Sequence, residues 1–300
     1  MNPKVPNEDI KVPKRVAVHI RDLIDPIVVR RTTIAKLTVG AVAVLAVGVL
    51  AWRLFLAPPS GKELLAEVVA AAGGMENWNR IEVGTYTRVR TVFDEDGRPI
   101  RQEPSTYYFR KGSKEYGLVV ETVTSEGPIK IGFDGKQYWA TKNGLSVPPE
   151  PLARQQGYMC DSDKCTPLCA AEMSFYRFSM PFKLIDPGAI PKYIGADMLN
   201  GSSVSLLQIT FDPSVGKDRW VLFVDNKTKL IDKIEHYASI NGDVPPEEIY
   251  WSDHRTEFGI TFSHKNTYYR SNGKKLEEYE IRNVDFRSAI PDEKFQKPGA

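Results

Sequence analysis

Residues 81–93 read IEVGTYTRVRTVF, and the character of the chain turns on them. Ile81, Val83, Thr85, Thr87, Val89, Thr91 and Phe93 share one side of an extended backbone. Glu82, Tyr86, Arg88 and Arg90 share the other. Side chains of a strand point alternately to opposite faces, so this spacing predicts a long, half-buried strand. Immediately before it the period is different. Leu64, Leu65, Val68, Val69 and Ala72 recur at helical intervals behind Ser60 and Glu63, which have the spacing of a capping box. Gly73 and Gly74 follow as a stop. A helix over 63–72 therefore hands over to a strand.

After residue 93, strand signals dominate. Runs rich in β-branched and aromatic residues occupy 105–110, 116–124, 129–133, 137–141, 204–211, 220–224, 230–240, 249–254, 260–270 and 274–286. Turn dipeptides stand among them at Asp96-Gly97, Asp134-Gly135, Asn143-Gly144, Asn241-Gly242 and Asn272-Gly273. Links this short favour antiparallel pairing, because parallel strands need long crossovers. The stretch 148–200 is different: it is rich in Pro and Cys and predicts a helix over 167–178, with Thr166 as cap. The expected fold is mainly β with some α, a large, strongly curved antiparallel sheet of about eleven strands that curls or closes instead of staying flat. If it curls around its apolar face, helices must plug or cover that face.

A separate feature lies nearer the start. Residues 37–56 are apolar, with Arg53 as the one charge. At 1.5 Å per residue, about 20 residues cross a ~30 Å hydrocarbon core. Eight Lys and Arg precede the run against four acids, so the positive-inside rule orients it. This predicts a basic cytoplasmic tail over 1–33, a transmembrane signal anchor over 34–57, and an extracytoplasmic domain over 58–300. The chain would be a single-pass protein of the inner cell membrane. Its total charge is +2, and without the basic start the remainder is nearly neutral. Nucleic acid, which demands a basic footprint, is not an expected partner.

Two motifs carry a family resemblance. Tyr107-Tyr108-Phe109-Arg110-Lys111-Gly112, followed by Phe133-Asp134-Gly135-Lys136-Gln137-Tyr138-Trp139, resembles the paired signatures of the outer-membrane lipoprotein carriers of the LolA and LolB type. The stretches 180–187, 193–195 and 208–211 and the hairpin through 271–274 fit the same order, so the resemblance spans roughly 63–286. It implies an incomplete β-barrel whose helical lid covers an apolar cavity that receives acyl chains. Arg110 best matches the family arginine that helps hold the lid, although no Pro follows it. Phe109, Trp139, Leu65, Val68 and Phe182 complete the lipid-contacting set implied by resemblance and pattern, with an ordinary core role as the competing reading of Trp139. The lipid-bearing Cys of receptor members has no counterpart behind the apolar run.

Catalytic signals are sparse. His236, His254 and His264 lie in predicted strands without metal-binding spacing, and exposed strand faces account for them. Glu247-Glu248 and Glu277-Glu278 would point to opposite faces and be solvated. Asp94-Glu95-Asp96-Gly97 is too short for an EF-hand and reads as a hairpin turn. Cys160, Cys165 and Cys169 suit a disulfide on an oxidising side better than zinc, with Cys160–Cys165 the preferred pair and Cys169 left over. The expectation is a lipid- or lipoprotein-binding domain, not an enzyme, with no cofactor and no metal. Its partners would be acyl chains, the membrane, and a membrane or cytoplasmic protein. Alternatives are an envelope sensor signalling through the tail or, third, an enzyme built on converging His and acid groups.

Overall fold

The computed structural model describes residues 58–111, 117–149, 175–238, 245–270 and 272–298. All but one of these belong to the unit Pro59–Ala300. The expected tail and anchor, the three cysteines, most of the 167–178 helix and the Asn241-Gly242 turn lie outside the described residues. Among those described, no helix is long and apolar enough to cross a membrane.

Helix α1 (Gly61–Ala71) starts as its sequence requires. The Ser60 side chain accepts from the Glu63 N–H at 3.2 Å, and the Glu63 carboxylate accepts from the Ser60 N–H at 2.7 Å. Gly73, at φ 106°, ends it in a backbone conformation that side chains disfavour. A second helix, α2 (Gly74–Arg80), then follows and buries Trp78. Its seven residues carry too little apolar periodicity for it to be read from sequence.

Among the described residues, the sheet contains thirteen strands. In chain order they are β1 (Val83–Phe93), β2 (Pro99–Arg110), β3 (Gly117–Thr124), β4 (Gly127–Phe133), β5 (Tyr138–Lys142) and β6 (Leu145–Val147). The second group is β7 (Ala189–Leu199), β8 (Ser202–Phe211), β9 (Arg219–Asp225), β10 (Ile231–Tyr237), β11 (Glu247–Glu257), β12 (Ile260–Tyr269) and β13 (Lys275–Asp285). Spatial order is β6-β5-β4-β3-β2-β1-β13-β12-β11-β10-β9-β8-β7, every neighbouring pair antiparallel. Two meanders thus join through β1 and β13, and the sheet stays open between β6 and β7. Residues 148–188 link these two edges in sequence, and of them 148, 149 and 175–188 are described.

The two strands beyond the expected eleven are these edges. β6 has only three residues, and β7 carries Pro191 and a bulge at Tyr193/Gly195, features that a sheet tolerates at its rim. A second difference concerns 81–93. The inward face there is the one with Tyr86 and Arg88, while Val89 and Phe93 belong to the opposite face. The alternation itself is kept through Tyr86 and Arg88, and the bulge beside it, between Thr85 and Thr87, has its extra residue on β13.

One main core lies between the helices and one face of the sheet. Leu64, Leu65 and Val68 of α1, Trp78 of α2 and Met180, Phe182 and Leu184 of the crossing segment pack there against Tyr107, Phe109, Leu207, Trp220 and Phe262. Gly61 permits the close approach of α1 to β7, since a Cβ there would lie 2.4 Å from the Pro191 carbonyl oxygen. On the other face a smaller cluster of Val119, Trp139 and Phe295 forms where the C-terminal segment crosses β3 and β5.

Candidate functional site in the sheet interior

Aromatic side chains from the crossing segment and from the strands fill the concave interior together. A helical turn at 175–178 places Phe178 against Tyr86, with ring centroids 4.1 Å apart, and Tyr86 stacks in turn on Tyr107 at 4.9 Å. Phe178 meets Phe262 edge-on at 5.2 Å, and Phe175 lies 4.9 Å from Phe109. Next to them Phe182, in the short 3-10 helix Phe182–Ile185, stacks on Trp78 at 4.9 Å. Between them lies a cavity of about 20 Å³, lined by Tyr86, Arg88, Arg177, Phe178, Phe262, Ser263 and Tyr268 among others. That is room for about one water molecule, whereas small-molecule sites generally measure roughly 300–1,000 Å³.

A polar stripe runs along the same interior. Arg90 pairs with Glu103 at 3.1 Å and also with Glu277. Arg88 donates to the Tyr107 hydroxyl at 3.2 Å and lies 3.6 Å over the Tyr279 ring. Arg177, beside Phe178, donates to the Tyr268 hydroxyl at 2.9 Å and to Glu247 at 2.7 Å. The Glu247 carboxylate lies 3.7 Å from His236 Nδ1, and His236 Nε2 lies 2.9 Å from Asp218. The His236 ring rests on Trp220 at 4.1 Å. Burial opposes charge on His236, but hydrogen bonds to Asp218 and Glu247 outweigh it and raise its pKa. Burial would also raise the Glu247 carboxyl, yet His236 and Arg177 hold it below the usual carboxylate range. Beyond the stripe, Lys111 sits 3.5 Å over the Trp78 ring and donates to the Trp78 carbonyl. Burial, with Lys183 nearby, brings its pKa down to about 7.

Of the residues expected from sequence, Phe109, Leu65, Val68 and Phe182 come together in this interior. Arg110 and Trp139 do not. The Arg110 side chain turns to the opposite face, where it pairs with Asp292 and lies 4.8 Å over the Phe295 ring. It thus fastens the C-terminal segment. Trp139 lies flat on β4, where a Cβ on Gly132 would come within 2.3 Å of the indole, and its Nε1 donates to the Phe295 carbonyl at 2.9 Å. The reading of the histidines and acids also changes. His264 is buried against Glu257, and His236 is enclosed, so neither sits on an exposed face. Glu247 and Glu248 do point apart, but each is ion-paired, Glu248 with Lys233; Glu277 and Glu278 are likewise paired, Glu278 with Lys275. Among the described residues, no group of His, Cys, Asp and Glu could hold a metal ion. The Asp94–Gly97 stretch is a hairpin turn, with Asp94 accepting from the N–H groups of Asp96 and Arg98.

No family model and no curated protein sequence matches the chain. Solved structures do. One is a DUF1329 family protein from Desulfovibrio piger, at 11% identity and TM-score 0.53, covering 79% of this chain and 97% of that one. A putative outer membrane lipoprotein-sorting protein domain from Vibrio parahaemolyticus matches at 11% identity and TM-score 0.51, over 78% and 95%. A LolA superfamily protein from Nitrosomonas europaea matches at 13% identity and TM-score 0.51, over 80% and 99%. The fold is LolA-like. At such identities the likeness belongs to the fold alone. Within the LolA-like frame, Arg177 is not singled out by the sequence, Arg88 is marked only as part of a strand face, and His236 and Glu247 are read there as exposed or solvated. Their signal was present in part, because Arg88 and Tyr86 share a strand face, but their partners lie on strands far away in sequence.

Proposed function

We propose that this protein binds the acyl part of a lipid or lipoprotein inside the half-barrel, in the space that Phe175, Phe178 and Phe182 now occupy. One observation carries the reading: Phe175, Phe178 and Phe182, which pack against the sheet's own aromatic side chains, come from the segment linking the two free edges of the sheet. Such a plug can leave without breaking a strand pair. An acyl chain would replace it with equivalent apolar contact, at about 0.8 kcal/mol per buried CH₂. The LolA-like fold supports the reading, as does the lipoprotein-sorting role named for the Vibrio parahaemolyticus domain. The activity is binding and release, without catalysis. It is exercised on the extracytoplasmic side of the inner membrane by a chain anchored through residues 34–57.

The test is uptake of a fluorescent fatty acid or phospholipid by the full chain. Binding should saturate near one ligand per chain, and Phe178→Ala should tighten it by emptying part of the site. Leu65→Glu should weaken it beyond any loss of stability, because the charge must stay solvated. A folded protein that takes up no amphiphile, with or without Phe178, would reduce the interior to an ordinary core.

A further inference from the structure

We propose that the ligand carries a primary ammonium head group, and that this head takes the place on β9, β11 and β12 that the Arg177 guanidinium now fills. The inference rests on the acyl-binding reading and adds the chemical class of the ligand. Arg177 belongs to the same helical turn as Phe175 and Phe178, so it leaves when they leave. The groups that hold it belong to the sheet and stay behind. Tyr268 of β12 accepts from one terminal nitrogen at 2.9 Å, and Glu247 of β11 accepts from the other at 2.7 Å. The Trp220 ring of β9 and the Tyr268 ring each lie 5.9 Å from the guanidinium carbon, within reach of a cation–π contact.

Departure of the plug thus leaves two aromatic faces, a phenol and a carboxylate arranged around a missing cation. Trp220 and Tyr268 are buried, and the Tyr268 hydroxyl loses the donor it accepts from. Glu247 keeps His236 at 3.7 Å but loses its closer partner. It is also partly exposed, so a head group there need not be sealed from water. A cation is already accommodated at this point. Burial opposes the charge of Arg177, and Arg88, engaged with the Tyr107 hydroxyl and the Tyr279 ring, lines the same cavity; Tyr268 and Glu247 outweigh both. A hydrocarbon end would press methylenes against the carboxylate and the hydroxyl, and an anionic end would set like charge beside Glu247. A primary ammonium brings three donors and one positive charge, enough to serve Glu247 and Tyr268 together while facing the rings.

The experiment titrates the full chain, held in nanodiscs of phosphatidylcholine, whose head group has no N–H donor. Four amphiphiles of equal chain length are compared: dodecylammonium, dodecyltrimethylammonium, dodecanol and laurate. Protein-free nanodiscs are titrated in parallel to remove partitioning into lipid. Dodecylammonium should bind the protein about tenfold or more tightly than dodecanol. Dodecyltrimethylammonium, which keeps the charge and loses the donors, should fall between them, and laurate should bind least. Arg177→Met removes the protein's own cation and leaves its partners in place, so it should tighten dodecylammonium and preserve the preference. Glu247→Gln should erase most of the preference. The comparison among the four ligands on the unaltered protein decides the matter even if the variants fold poorly. Equal affinity for dodecylammonium and dodecanol, or tighter binding of laurate, would overturn the inference and leave acyl binding standing. Absence of saturable binding by all four would overturn both.

Discussion

His236 lies between two carboxylates, and its environment makes the protein's stability respond to pH. Asp218 and Glu247 flank the imidazole, Arg177 stands beyond Glu247, and the Trp220 ring covers one side. The folded pKa is raised above the unfolded one. A group shifted in that direction contributes stability that is complete below its unfolded pKa and is lost as pH rises through the folded value. Unfolding by denaturant between about pH 6 and pH 9 should therefore show stability falling with pH, and His236→Gln should flatten that slope. An unchanged slope in the variant would mean that the imidazole does not carry charge in the folded state. At this scale the sequence is a partial guide. It marks Phe109, Leu65, Val68 and Phe182 as apolar residues at the right period, and a residue's period is local. It does not place Arg110 beside Asp292, and of its two readings of Trp139 the core one fits the burial against Val119 and Phe295, because which face of β2 or β5 meets the lid depends on where the C-terminal segment comes to rest.

That segment is the element whose importance is least evident from its residues. Between β13 and residue 298 the chain crosses the outer face as a strap through a short 3-10 helix (Asp292–Lys294), and it buries Phe295 completely against Val119 and Trp139. Lys294 adds an ion pair with Glu121 at 2.7 Å and lies 3.8 Å over the Tyr108 ring, while Asp292 receives Arg110. Phe295→Ala should cost about 3–5 kcal/mol, read as a lowered denaturant midpoint. The fluorescence of Trp139 should shift to the red as water reaches the indole. Lys294→Ala, which removes only partly exposed contacts, should cost no more than about 1 kcal/mol. A Phe295 variant as stable as the parent would show that the strap is held by something other than this side chain. By contrast α1 is legible throughout. Its cap, stripe and stop are each local, and they appear in the structure within a residue or two of their expected places.

At the scale of the whole molecule, the expected membrane topology leads to a direct measurement. With eight basic residues ahead of the apolar run 37–56, a reporter fused after Ala300 should be active only on the extracytoplasmic side. Protease added to spheroplasts should digest the unit Pro59–Ala300 and spare the tail; cytoplasmic reporter activity would refute the anchor as drawn. Sequence by itself determined the class of the domain: a capped helix followed by antiparallel strands joined by tight turns, because caps, turns and alternation act between neighbours a few residues apart. It also determined that a sheet of so many strands would curve, while its incomplete closure was implied only by the family resemblance. Tertiary structure alone decided the rest. The closure of two meanders through β1 and β13 depends on pairing residues nearly two hundred positions apart, such as Arg90 with Tyr279, and no short-range pattern encodes that register. The inward turn of Tyr86 and Arg88 was decided in the same way, since a polar strand face becomes interior only when distant tyrosines and carboxylates arrive to satisfy it.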